Sequence, residues 1–197
     1  MRLKLIYTAL FIFLILPIRG CKNEVIAPSI IEYDCRKDIN STLIPGTPGI
    51  KIKSSRCSDY IFKPDKMSAA INLFVEKYSQ KFDLKKIDVW NSLSDLTIEV
   101  SIIPRTVVNV YDINGKFLKK ETPVSGLAFN EKLIWVEIRT SQIWSSSLIH
   151  ELVHIIIWRS NGVHGDPDHE GTQFSGWNSK HTKLIKDINI ELLELDI

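Results

Sequence analysis

Residues 148–158 constrain this chain more than any other segment. Leu148, Ile149, Leu152, Val153, Ile155, Ile156, Ile157 and Trp158 leave a helix there with almost no polar side. A helix that is apolar nearly all round has to be enclosed by its own domain. Yet His150, Glu151 and His154 sit within it. Burying such groups is costly unless each has a partner. The first 149 residues contain no histidine, and all five histidines fall between His150 and His181. That distribution points to a shared task.

Four residues apart on a helix, His150 and His154 project from one face, one turn from each other. Two neutral imidazoles so placed suit one Zn2+ at about 2.0–2.1 Å each. Glu151 completes the pattern His-Glu-x-x-His, in which the glutamate is the general base toward water that the metal activates. A catalytic zinc normally takes three protein ligands and keeps an open position. The remaining histidines, His164, His169 and His181, are candidates for the third ligand, with Asp166, Asp168 and Glu170 as acidic options. A metzincin pattern would need glycine at 157 and histidine at 160. Ile157 and Ser160 exclude it. His181 is also a candidate for stabilising a transition-state oxyanion or for capping the last helix.

The rest of the chain reads as α+β. Met67, Ala70, Ile71, Phe74, Val75, Tyr78 and Phe82 recur at three- and four-residue steps, the stripe of an amphipathic helix, with Asp65 a candidate N-cap. Segments 96–103, 107–111, 116–119, 126–129 and 133–138 carry strand-like patterns. Asn114-Gly115 is a hairpin turn signal because both residues tolerate positive φ. A small, largely antiparallel sheet is expected. A helix from Ser141 to about Arg159 and a last helix over roughly 180–195 should follow. Strand 133–138, just before the motif helix, is the expected edge for an extended peptide to pair with. Trp135, Trp144, Trp158 and Trp177 read as packing residues, and 165–168 as a solvated turn.

The N-terminus points to export. Arg2 and Lys4 precede an apolar run over 5–16, too short to span a bilayer comfortably and shaped like a signal-peptide core. Gly20-Cys21 with Ile18 is similar to a bacterial lipobox, although Arg19 departs from it, so Cys21 is the expected lipidated residue and membrane anchor. Residues 1–20 would then be the signal peptide, 21–60 a tether and irregular region, and 61–197 the folded domain. With Cys21 occupied, Cys35 and Cys57 are left to form a disulfide in an exported chain. The first 20 residues hold three of the 25 basic residues and no acid, which leaves 22 against 23 acidic residues in the remainder. So nearly neutral a protein has no basic face with which to neutralise phosphates, and no nucleic-acid partner is expected.

His150-Glu151-Leu152-Val153-His154, then Ile155-Ile156-Ile157-Trp158 and Asp168-His169-Glu170-Gly171-Thr172-Gln173-Phe174, resemble SprT-like zincin metalloproteases. In that family a third histidine follows the motif after a gap of roughly fifteen residues, near a glycine and an aromatic. The resemblance covers about 25 residues and departs at Glu170, where the family usually has glycine. It implies a zincin-like domain with His150, His154 and His169 as zinc ligands and Glu151 as catalytic base. His164 is the next alternative. The family's members are generally intracellular, so only the ligand geometry is carried over. The expectation is an exported zinc metallohydrolase, a peptidase acting on a peptide or protein substrate in the bacterial cell envelope. The alternatives are a non-catalytic zinc-binding envelope lipoprotein and a surface interaction module.

Overall fold

The structure, a computed structural model, describes residues 24–25, 40–54, 63–102, 105–108, 122–138, 142–162 and 176–197. Short strands β1 (Glu24–Val25), β2 (Asn40–Leu43) and β3 (Lys51–Ser54) precede helices α1 (Pro64–Phe82) and α2 (Lys86–Asn91). Strands β4 (Thr97–Ser101), β5 (Arg105–Val108), β6 (Thr122–Val124), β7 (Gly126–Asn130) and β8 (Leu133–Glu137) follow. A 3-10 turn at Ile143–Ser145 then leads to α3 (Leu148–Asn161) and α4 (Ser179–Glu194).

Helix α1 begins with Pro64, whose fixed φ suits the first turn and whose missing N–H would have had no helical partner. Lys63 is the N-cap residue, and Asp65 lies inside the first turn rather than capping it. There its charge favours the positive end of the helix dipole. Met67, Ala70, Ile71, Phe74, Val75 and Tyr78 are buried, as their spacing predicts.

The main sheet has the order β2-β3-β4-β8-β7. It is mixed, not largely antiparallel: β3, β4 and β8 run parallel, and an antiparallel strand lies at each side. Parallel neighbours need long crossovers, and these strands have them. Helices α1 and α2 separate β3 from β4, and β5, β6 and β7 separate β4 from β8. Residues 40–54, expected within an irregular tether, supply β2 and β3, so the folded unit extends ahead of residue 61. Gly46 and Gly49 turn between them at φ 71° and 76°, with Ile44 and Ile50 buried beneath. Strand 133–138 is likewise not an edge. As β8 it lies between β4 and β7, and β7 is the outer strand among the described residues.

Register aligns one face into two rows across the sheet, Ile52–Ile98–Ile134–Ala128 and Ser54–Val100–Val136–Gly126. The apolar members are buried in the core shared with α1, α3 and α4. A second, three-stranded sheet has the order β1-β5-β6. The hairpin signal at Asn114-Gly115 and the three cysteines, Cys21, Cys35 and Cys57, lie outside the described residues.

The motif helix starts at Leu148 rather than Ser141. Serines compete for backbone partners and interrupt the helix. The Ser146 hydroxyl donates to the Ile143 carbonyl at 2.7 Å and accepts from the Leu148 N–H at 3.3 Å. Gly162, at φ 67°, ends the helix with its N–H on the Trp158 carbonyl, the left-handed cap that glycine adopts at least cost. Arg159 fixes this end in place. Its guanidinium donates to the carbonyls of Glu131, Ser92 and Ser94 at 2.8, 3.1 and 2.8 Å. It thereby ties α3 to the β7–β8 turn and to the segment after α2. Arg159→Met, which keeps the aliphatic stem, should cost about 2–3 kcal/mol in denaturant unfolding. Arg159→Lys should recover only a small part, because an ammonium cannot reproduce the guanidinium fork.

Candidate metal centre

Helix α3 places His150 and His154 on one face, and their rings meet edge to face with centroids 4.7 Å apart. Their Nε2 atoms are 3.0 Å apart. Two ligand nitrogens on one tetrahedral metal, each at about 2.0–2.1 Å, are separated by about 3.3 Å. The two Nε2 atoms therefore converge on a spacing close to the bite of a single cation. His154 is buried and His150 half-buried.

Glu151 leaves the helix toward β7 and is 3% exposed. Burial pushes its carboxyl up to about 8, and the N–H of Ala128, which donates to it, pulls the other way. A buried carboxyl with a raised pKa, directly after His150 and three residues before His154, is the kind of group that serves as a general base. Two imidazoles without thiolates are donors of a kind that zinc takes, and the Glu151 carboxyl is turned toward β7.

Trp177 closes the other side. Its ring lies 5.0 Å from His150 and 4.9 Å from His154, centroid to centroid, and its Nε1 donates to Thr182 Oγ1 at 3.2 Å. The sequence marked Trp177 for packing, and what it packs against is the histidine pair.

His181 is fully enclosed and belongs to the cap of α4. The Asn178 backbone N–H donates to its Nδ1 at 3.1 Å, and Asn178 Oδ1 accepts from the Lys180 N–H. That leaves the ring proton on Nε2, directed at the Tyr78 hydroxyl 3.3 Å away. Phe82 stacks on the ring at 4.3 Å. Burial lowers the His181 pKa from its ordinary value. Nδ1 is engaged in the cap of α4, and Nε2 joins α4 to α1.

Among the described residues, no third His, Cys, Asp or Glu joins His150 and His154 in a metal-ligating cluster. His164 and His169, with Asp166, Asp168 and Glu170, lie outside the described residues.

Two further site residues escaped the sequence reading, Gly126 and Ala128 on β7. A glycine within a strand often marks a close backbone approach, and Gly126 carried that signal unused. Comparisons with protein-family models, with curated proteins and with solved structures give no match for this chain.

Proposed function

We propose that this protein is a zinc-dependent hydrolase of peptide bonds with a zincin-like catalytic domain. The observation that carries this reading is the 3.0 Å approach of the His150 and His154 Nε2 atoms on a helix that also buries the carboxyl of Glu151. His150 and His154 would hold the metal, with His169 the third ligand that the resemblance to SprT-like zincins implies. A bound Zn2+ would supply a Lewis acid that polarises the scissile carbonyl and acidifies water.

Glu151 takes a proton from the attacking water and delivers it to the leaving amine nitrogen. Trp177 and the apolar flank of α3 keep bulk water from the other side of the histidines. Strand β7 lies beside α3 as the outer strand among the described residues, where an extended peptide would add by strand pairing. This feature favours peptide over other hydrolysable substrates. The basic-then-apolar leader and Gly20-Cys21 support export and lipid anchoring at the cell envelope.

Full-length protein loaded with one equivalent of Zn2+ should cleave a library of unfolded proteins and peptides. Chelation should abolish the cleavage and added zinc restore it. A zinc-loaded protein that cleaves nothing across the library would overturn the peptidase reading and leave zinc binding without catalysis.

A further inference from the structure

The first turn of α3 and the start of β7 approach more closely than ordinary side chains allow. A Cβ built on Gly126 would stand 2.8 Å from Glu151 Cγ, and nearer still to Glu151 Oε1 and Ser147 Oγ. Gly126 is not among the residues with positive φ, so conformation does not require glycine there. Space does. Ser147 holds the approach in place, its hydroxyl donating to the Ser125 carbonyl at 2.5 Å.

Strand register explains where the Ala128 N–H points. The Glu137 N–H donates to the Ser125 carbonyl at 2.8 Å, which makes Ser125 and Glu137 a hydrogen-bonded pair. Antiparallel pairs alternate, so Gly126 opposite Val136 and Ala128 opposite Ile134 are non-hydrogen-bonded pairs. Their backbone groups face away from β8. The outward N–H of Ala128 is the one that donates to Glu151.

We propose that Gly126 and Ala128 are positioning residues that form a seat for the Glu151 carboxyl, Gly126 by its missing side chain and Ala128 by its outward N–H. This inference rests on the proposed function for its catalytic meaning, but the seat itself is a geometric claim. A base at the wrong distance transfers protons poorly, and a displacement of about 1 Å costs on the order of 10²-fold in rate. A polar donor on the outer side of an edge strand can be removed without breaking the ladder, because proline is tolerated there.

The test combines a melting cycle with kinetics. In metal-free full-length protein, Gly126→Ala should lower Tm by several degrees. Adding Glu151→Ala should recover part of that loss relative to Glu151→Ala alone, because one of the two colliding side chains is gone while Ser147 remains. In the zinc-loaded enzyme, Gly126→Ala and Ala128→Pro should each lower kcat, counted per folded zinc-loaded molecule, by at least about tenfold. Zinc content should stay unchanged in both, and KM should stay unchanged in Gly126→Ala, which keeps every backbone donor of β7. Ala128→Pro adds no bulk at position 126, so it reads the donor even if Gly126→Ala folds poorly. Equal Tm losses from Gly126→Ala with and without Glu151 would overturn the seat, whatever the hydrolysis assay returns. Wild-type kcat in both variants, with Glu151→Gln inactive, would overturn the positioning role and leave the proposed function standing. No hydrolysis by wild type would remove the proposed function and the positioning role together, and the melting cycle would still decide the geometry.

Discussion

Glu151→Gln is expected to retain zinc and lose peptide hydrolysis by about 10²–10⁴-fold, the usual contribution of a positioned general base. The amide keeps the size of the side chain and an oxygen that accepts from the Ala128 N–H, but it cannot take a proton from water. The same variant should be more stable than wild type when metal is absent. Burial raises the folded-state pKa of Glu151 from 4.5 to about 8, so folding favours its neutral form. Ionisation therefore costs stability that is intact below about pH 4.5 and is lost progressively as pH rises toward 8, on the order of a few kcal/mol. Glutamine has no such cost. Thermal unfolding of metal-free protein should show the variant's advantage growing over that range and closing at acid pH. A variant that hydrolyses as fast as wild type would rule out Glu151 as the base. A variant less stable than wild type at pH 8 would mean that Glu151 has charge-stabilising partners beyond the Ala128 N–H.

His169→Ala is expected to lose most bound zinc, whereas His164→Ala and His181→Gln should keep it. Loss of a direct ligand should exceed the roughly 10–100-fold that outer partners of a metal site typically cost in affinity. The expectation for His169 comes from the resemblance to SprT-like zincins, in which a third histidine follows the motif after a gap of roughly fifteen residues, as His169 follows His154. The expectation for His181 comes from the fold, which commits Nδ1 to the Asn178 N–H and Nε2 to the Tyr78 hydroxyl. His181→Gln should instead lower stability by about 1 kcal/mol, the usual scale of a lost helix cap. Zinc content after dialysis against a weak chelator reads the first effect, and denaturant melts the second. Retention of zinc by His169→Ala with loss in His164→Ala would reassign the third ligand.

What the sequence determined by itself is whatever depends on short, regular spacing. The 3.6-residue period placed His150 and His154 on one face of α3 and buried the Met67-to-Tyr78 stripe of α1, because both follow from neighbours within one or two turns. Strands β7 and β8 were legible from their local patterns, and α4 from its own periodicity. Only tertiary structure decided which strands pair, and in which direction. A parallel pairing such as β4 with β8 has no turn between the strands to announce it, and Lys51-Ile52-Lys53-Ser54 offers too few apolar residues to mark β3 as part of the sheet. The identity of the edge strand follows from that pairing, so β7 took the place expected of 133–138. The surroundings of the histidine pair are equally non-local. Trp177 reaches His150 and His154 from a segment near the C-terminus, and His181 meets Tyr78 across 103 residues. Gly126 lies 25 positions before Glu151 in the chain and within a side chain's width of it in space. Contacts of that kind arise only when the sheet and helix are packed together, since no period in the sequence encodes the distance between them.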